Sequence, residues 1–167
     1  MSIKVKRNYL EINSLHELKE GNRPSNNYNL QVVYPDNFQL NKFFYKNIGK
    51  KHKWLDRLTW SDEKWISYVS SKNVYTYVLK NKEDLVGFFE LIFHSEIKET
   101  EIAYFGLLEE YQNKRLGSHL LSEAIKISFD KNSKRVWVHT CSLDHKNALK
   151  NYLARGMKIY KNETINI

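Results

Sequence analysis

At 167 residues, with 41% hydrophobic and 28% charged side chains, the chain is long enough for one domain with a real core, and this balance excludes a disordered polypeptide. The net charge of +8 invites a nucleic-acid track, yet the lysines are scattered. Their densest group (Lys46, Lys50, Lys51, Lys53) has no arginine fork, so a generally basic surface that also suits an anionic cofactor is the better account.

The single cysteine, Cys141, excludes an intrachain disulfide and a cysteine-based metal cluster and fits a reducing compartment. The start, MSIKVKRNYLEIN, lacks the apolar core of a signal peptide, and no stretch approaches the roughly 20 apolar residues that span a bilayer. A cytoplasmic protein with no membrane partner is expected.

Residues 3–12 alternate partly and include β-branched positions, which predicts a short strand or extended arm. A single helical turn follows at Leu15–Lys19. Gly21 to Asn27 is a breaker run of Gly, Pro, Ser and Asn. Residues 1–28 are therefore read as an N-terminal strand or arm and loop packed on a domain of residues 29–167.

Asn29–Tyr34 reads as a strand stopped by Pro35. Leu40, Phe43, Phe44 and Ile48 then fall at helical spacing, with Gly49 placed as a C-cap. Ser61 looks like the N-cap of the next helix, with Asp62 and Glu63 in its first turn. Residues 73–80 and 84–93 flank a polar loop and predict an antiparallel hairpin, and residues 101–108 add a third strand.

From Leu116 to Asp130, two adjacent rows spaced by four (Leu116, Leu120, Ala124; Leu121, Ile125, Phe129) make a broad apolar stripe for a sheet. Arg135–Thr140 is a strand. Another helix is expected from about His145 to Ala154 behind Asp144 as N-cap, closed by Gly156. The tail supplies a last strand or two.

This order is α+β, a mixed and mostly antiparallel sheet of about six or seven strands flanked by about four helices. The crossover helix sets the strands on either side of it (101–108 and 135–140) parallel, and ligands enter where such strands part. Tyr104 to Ser128 is also an anion site in outline. Amides at a helix start have no partner within the helix, and the macrodipole places about half a positive charge there.

With these residues laid out, the chain resembles the GNAT family of acetyl-CoA-dependent N-acetyltransferases over roughly residues 29–165. That family's signature is Gln or Arg, two variable residues, Gly, one variable residue, then Gly or Ala, after a hydrophobic strand. Here it reads Gln112-Asn113-Lys114-Arg115-Leu116-Gly117, with Arg115 in place of the first glycine. A second family pattern, Ala, Tyr and Gly-Phe at intervals of four, reads Ala148, Tyr152, Gly156 and Met157, with His145 where the family often has Asn.

The resemblance implies a GNAT fold whose fourth and fifth strands splay at the cofactor, and acetyl-CoA as cosubstrate with no metal. It places acetyl-CoA against Phe105, Gly106, Leu107, Leu108, Gln112, Asn113, Lys114, Arg115, Leu116, Gly117, Ser118, His145, Ala148 and Tyr152. A non-glycine residue in left-handed geometry costs about 1–2 kcal/mol, so Arg115 must find a compatible backbone; its guanidinium either pairs with a phosphate or lies in solvent. Gly106 suits a bulge, a close backbone approach, or simple relief of packing.

The implied reaction is direct attack, in a ternary complex, by a primary amine of a small molecule or peptide. An alkyl amine with a pKa of about 10.4 is almost wholly charged at pH 7, so a base is required. Glu101 matches the family position, with Glu90, Tyr104, His139 and water as alternatives. Strict alternation puts Glu101, Ala103, Phe105 and Leu107 on one side of the strand and Ile102, Tyr104, Gly106 and Leu108 on the other.

Tyr152 is the candidate acid for the departing thiolate. Tyr45, Trp54, Asp56, Arg57 and Trp60 are candidates for the acceptor site, an acid for an ammonium and an arginine for a carboxylate, or else an Asp–Arg pair bridging helices. His139, Cys141, Asp144 and His145 admit a weaker reading as a Cys–His or metal site. A GNAT fold kept as a binding module, with CoA as ligand or none, and a basic nucleic-acid binder remain as other readings; monomer and homodimer are both open.

Overall fold

The computed structural model describes residues 1–167. In chain order it contains β1 (Lys4–Ile12), β2 (Tyr28–Val32), α1 (Phe38–Gly49), α2 (Asp62–Val69), β3 (Val74–Asn81), β4 (Asp84–His94), β5 (Glu99–Leu107), α3 (Leu116–Asp130), β6 (Arg135–Cys141), α4 (Ala148–Ala154) and β7 (Lys158–Asn166). Single 3₁₀ turns lie at Leu15–Glu17 and Glu109–Tyr111. No helix is long and apolar enough to cross a membrane.

Local chemistry sets these boundaries. The Ser61 hydroxyl accepts from the Lys64 N–H at 3.2 Å and starts α2. The predicted stripe of α3 is buried at Leu116, Leu120, Leu121, Ala124 and Ile125, and each large aliphatic buried this way contributes about 1.5–3 kcal/mol. Gly49, expected as the C-cap of α1, is its last helical residue, with Lys50 as the cap. The reason for glycine is packing: a Cβ there would sit 2.6 Å from that of Trp54.

The seven strands form one sheet in the order β2-β3-β4-β5-β6-β1-β7. All neighbours are antiparallel except β5 and β6. The segment 4–12, read from sequence as a short strand or extended arm, is a strand woven into the sheet between β6 and β7. The tail makes one strand, β7.

The larger apolar cluster lies between the sheet and α3 with α4, and includes Leu10, Ile12, Ile102, Val136, Val138 and Tyr152. The smaller one, Phe44, Ile48, Val78 and Phe88, lies under α1.

Two irregularities shape the site. Parallel pairing of β5 with β6 is confined to Glu99–Glu101 against Arg135–Trp137; beyond it the strands part. In β5, Ala103 is an extra residue, because Ile102 faces Leu91 while Tyr104 faces Glu90.

This bulge corrects the strict alternation expected for the strand. Ile102 packs with Phe105 and Leu107 in the larger cluster, whereas Tyr104 packs in the smaller. Gly106 answers close packing, since a Cβ there would meet Ile48 Cγ2 at 2.8 Å.

The last helix also starts later than expected, at Ala148 behind Asn147 rather than near His145. Asp144 is committed to the end of β6, its Oδ2 accepting from Thr140 Oγ1 at 2.5 Å and from the Cys141 N–H at 2.9 Å. His145 therefore lies in the turn before the helix, its Nδ1 accepting from the Asn147 N–H at 3.1 Å.

Candidate active site

A cleft of about 1150 Å³ opens where β5 and β6 separate. One bank is built mainly from backbone. The loop into α3 takes left-handed geometry at Asn113 (φ 62°) and Arg115 (φ 63°), which turns the chain sharply into the helix at an expense of about 1 kcal/mol or more at the arginine.

The N–H groups of Leu116, Gly117 and Ser118 donate to no protein acceptor. They are the orphan donors of a helix start, carrying the positive end of its dipole. A Cβ on Gly117 would make only ordinary contacts, 3.5 Å to Asn151 Nδ2 and 3.8 Å to Leu107 Cδ1. The protein's own packing does not demand glycine there, while bare backbone faces the cleft. Gln112 ties this loop to the end of β5, its Nε2 donating to the Leu107 carbonyl at 3.3 Å.

Tyr152 of α4 is buried beside Phe105, ring centroids 6.3 Å apart, and lines the cleft. Burial, followed by the Asp144 charge, pushes its phenol well above the usual tyrosine range. The hydroxyl is therefore held as a neutral donor. Handing over its proton becomes more uphill than the roughly 1.5 units that separate ordinary tyrosine from a thiol, so any tyrosinate must be brief.

The opposite bank is built from side chains. Asp56 Oδ1 accepts from Tyr45 Oη at 2.9 Å and Tyr104 Oη at 2.6 Å, and Trp54 packs against Tyr104 at a tilt of 59° with centroids 4.7 Å apart. Burial first and Asp56 next raise the Tyr104 phenol above its ordinary range. Glu101 lines the cleft with Oε1 3.2 Å from His94 Nε2.

Glu90 is fully buried. Its Oε1 accepts from Arg57 Nη1 at 2.9 Å and Tyr68 Oη at 2.7 Å, and its Oε2 from Asn41 Nδ2 at 2.8 Å. Arg57 is ringed by Tyr45, Trp60, Trp65, Tyr68 and Tyr104, its Cζ 4.2 to 5.9 Å from their centroids. Burial pulls its guanidinium down, but the Glu90 charge and hydrogen bond together with the Tyr68 and Tyr104 phenols more than offset this, so the net shift is upward.

The cleft thus collects Glu101, Phe105, Gly106, Leu107, Gln112, Asn113, Arg115, Leu116, Gly117, Ser118, His145, Ala148, Tyr152, Trp54, Asp56 and Arg57. Four sequence candidates stand outside its lining. Leu108 packs against the smaller cluster and Lys114 lies over the Tyr111 ring. Tyr45 is buried beneath Asp56, and Trp60 covers Arg57.

His139 and Cys141 both line the cleft, but no three His, Cys, Asp or Glu side chains group to hold a metal ion. Burial and then Asp144 raise the Cys141 thiol, away from the reactive thiolate. Sequence reasoning did not place Val5, Arg7, Ile165 and Ile167, which line the cleft from the two chain ends.

The acetyltransferase (GNAT) family profile matches residues 33–157. Among solved structures, the fold is similar to that of a GCN5-related N-acetyltransferase from Sphaerobacter thermophilus (TM-score 0.73, 13% identity, 97% of this chain and 50% of that chain). It is also similar to a functionally unknown conserved protein from Staphylococcus epidermidis (TM-score 0.67, 19% identity, 98% and 61%). A third likeness is to an aminoglycoside acetyltransferase from an uncultured soil metagenomic sample in complex with sisomicin (TM-score 0.61, 14% identity, 78% and 86%). At these identities the likeness is one of fold, and the chain spans only 50% and 61% of the first two. No curated protein matches the chain.

Proposed function

The chain belongs to the acetyltransferase (GNAT) family, and from that premise we propose that it moves an acetyl group from acetyl-CoA to a primary amine of a small molecule or peptide by direct attack. The observation that carries this reading is the pairing of unpartnered amides at the start of α3 with the gap between β5 and β6. The donor set fits a pyrophosphate: convergent N–H groups, a bare Gly117 backbone and the nearby Arg115 guanidinium.

Acetyl-CoA supplies the activated acetyl group as a thioester. The amides of Leu116, Gly117 and Ser118 bind its phosphates, and the parted edge of β5 offers main-chain groups along the cleft. Tyr152 holds a proton on Oη for the departing sulfur. Glu101, positioned by His94, takes the proton of the incoming ammonium; about one amine in 2,500 is neutral at pH 7 with a pKa near 10.4. Glu90 does not serve, because both its oxygens are engaged in the buried network.

Acetyl-CoA at a hundred times its Kd should stabilise the fold by about 2.7 kcal/mol through mass action, read as a rise in Tm. Thiol release with an amine panel then reads the transfer. An unmoved Tm at millimolar acetyl-CoA would sink the reading.

A further inference from the structure

We infer that the acceptor amine carries a carboxylate, as an amino acid does, and that Arg7 binds it. This rests on the acetyl-transfer reading above and names the substrate class of that same cleft. Arg7 lies on β1, is half-buried, and lines the cleft. Its Nε is shielded from solvent and has no hydrogen-bond partner, its Nη1 reaches Tyr9 Oη only at 3.5 Å, and it belongs to none of the ion pairs of the fold. The carboxylate opposite it on β7, Glu163, is held by Tyr9 Oη at 2.6 Å. A guanidinium with a shielded Nε and no carboxylate within ion-pair distance is an incomplete arrangement, because a planar fork of N–H donors matches a carboxylate.

The sheet register fixes which side of the cleft this charge serves. Leu10 and Ile12 of β1 pack with Tyr152 in the cluster under α3. Arg7 is an odd number of residues from Leu10 in an evenly paired strand, so it lies on the other face, away from the phosphate-binding start of α3. On that face it is opposite Cys141, and Cys141 is four residues along β6 from Trp137, which is opposite Glu101. Side chains directly opposite each other share a face. Glu101, the proton acceptor, and Arg7, the unpaired cation, therefore stand on one face of the sheet and line one cleft.

Arg57, the sequence candidate for this role, is committed to Glu90. The difference between the two arginines is what assigns the carboxylate to Arg7.

The test compares matched pairs in the thiol-release assay, each amino acid against the amine left when its only carboxylate is removed: phenylalanine with phenethylamine, and leucine with isopentylamine. The intact protein is expected to favour the first member of each pair by about 10- to 100-fold in kcat/KM, the range of a hydrogen bond to a charged group. Arg7→Gln should collapse that ratio through KM, and Arg7→Lys should restore part of it.

Equal kcat/KM within every pair overturns the inference while leaving acetyl transfer intact, and this arm needs no variant. An Arg7→Gln protein that loses both members equally assigns Arg7 to structure and also overturns it. If neither member of any pair is acetylated although acetyl-CoA raises Tm, the proposed reaction fails and the inference with it.

Discussion

The two banks of the cleft are built differently. Along α3 the groups that face the cleft are main-chain amides, presented by two left-handed residues, Asn113 and Arg115, and by a glycine whose missing Cβ leaves the backbone open. Across from them, the cleft is lined by side chains from distant segments: Asp56 after α1, Tyr104 and Glu101 on β5, Arg7 on β1. A helix start binds phosphate whatever the neighbouring side chains are. A side-chain bank can be re-specified by single substitutions. The difference suits a constant cosubstrate on one side and a particular acceptor on the other.

The largest expected effect breaks the side-chain bank. Arg57→Leu leaves Glu90 buried without its cation and should destabilise the fold by about 3–5 kcal/mol in urea melts. Arg57→Leu combined with Glu90→Leu should recover most of that loss, because partners in one network are non-additive. Equal additive losses would show that the pair is not coupled.

Tyr152→Phe tests the junction of the banks. The hydroxyl makes no hydrogen bond to the protein, so the fold should hold while kcat falls roughly 10²–10⁴-fold. The same variant has a pH signature. Burial raises the Tyr152 phenol above its ordinary value, so the native state keeps a proton that the unfolded chain loses above pH about 10. Stability is full below that pH and declines as pH rises, by about 1.4 kcal/mol per unit from this group. Urea titrations at pH 9 to 11 should show a shallower fall in Tyr152→Phe than in the parent.

The smallest effect sharpens the backbone bank. Arg115→Gly removes about 1–2 kcal/mol of left-handed strain but adds about 0.5–1 kcal/mol of chain entropy to be lost on folding. The net gain in stability should lie between about 0 and 1.5 kcal/mol. Weaker acetyl-CoA binding in that variant, measured by calorimetry, would assign the guanidinium to a phosphate.

Much of the fold follows from local pattern. The α3 span, the β3–β4 hairpin, the Ser61 cap and the chain reversal at Gly156 are all consequences of side-chain periodicity or backbone freedom within a few residues. Three features were not legible. The bulge at Ala103 depends on β4, which sets the register. The late start of α4 depends on Asp144 bonding back to Thr140 and Cys141 instead of capping. The separate fates of Arg57 and Arg7 depend on whether a carboxylate from another element reaches them.

By itself the sequence determined the element order, the parallel crossover and the amide-lined start of α3, because each is encoded by neighbours along the chain. Only the tertiary structure decided that residues 4–12 lie inside the sheet, between β6 and β7. That placement brings Arg7 to the cleft. Strand pairing over more than a hundred residues is chosen by the whole sheet at once, and no local pattern records it.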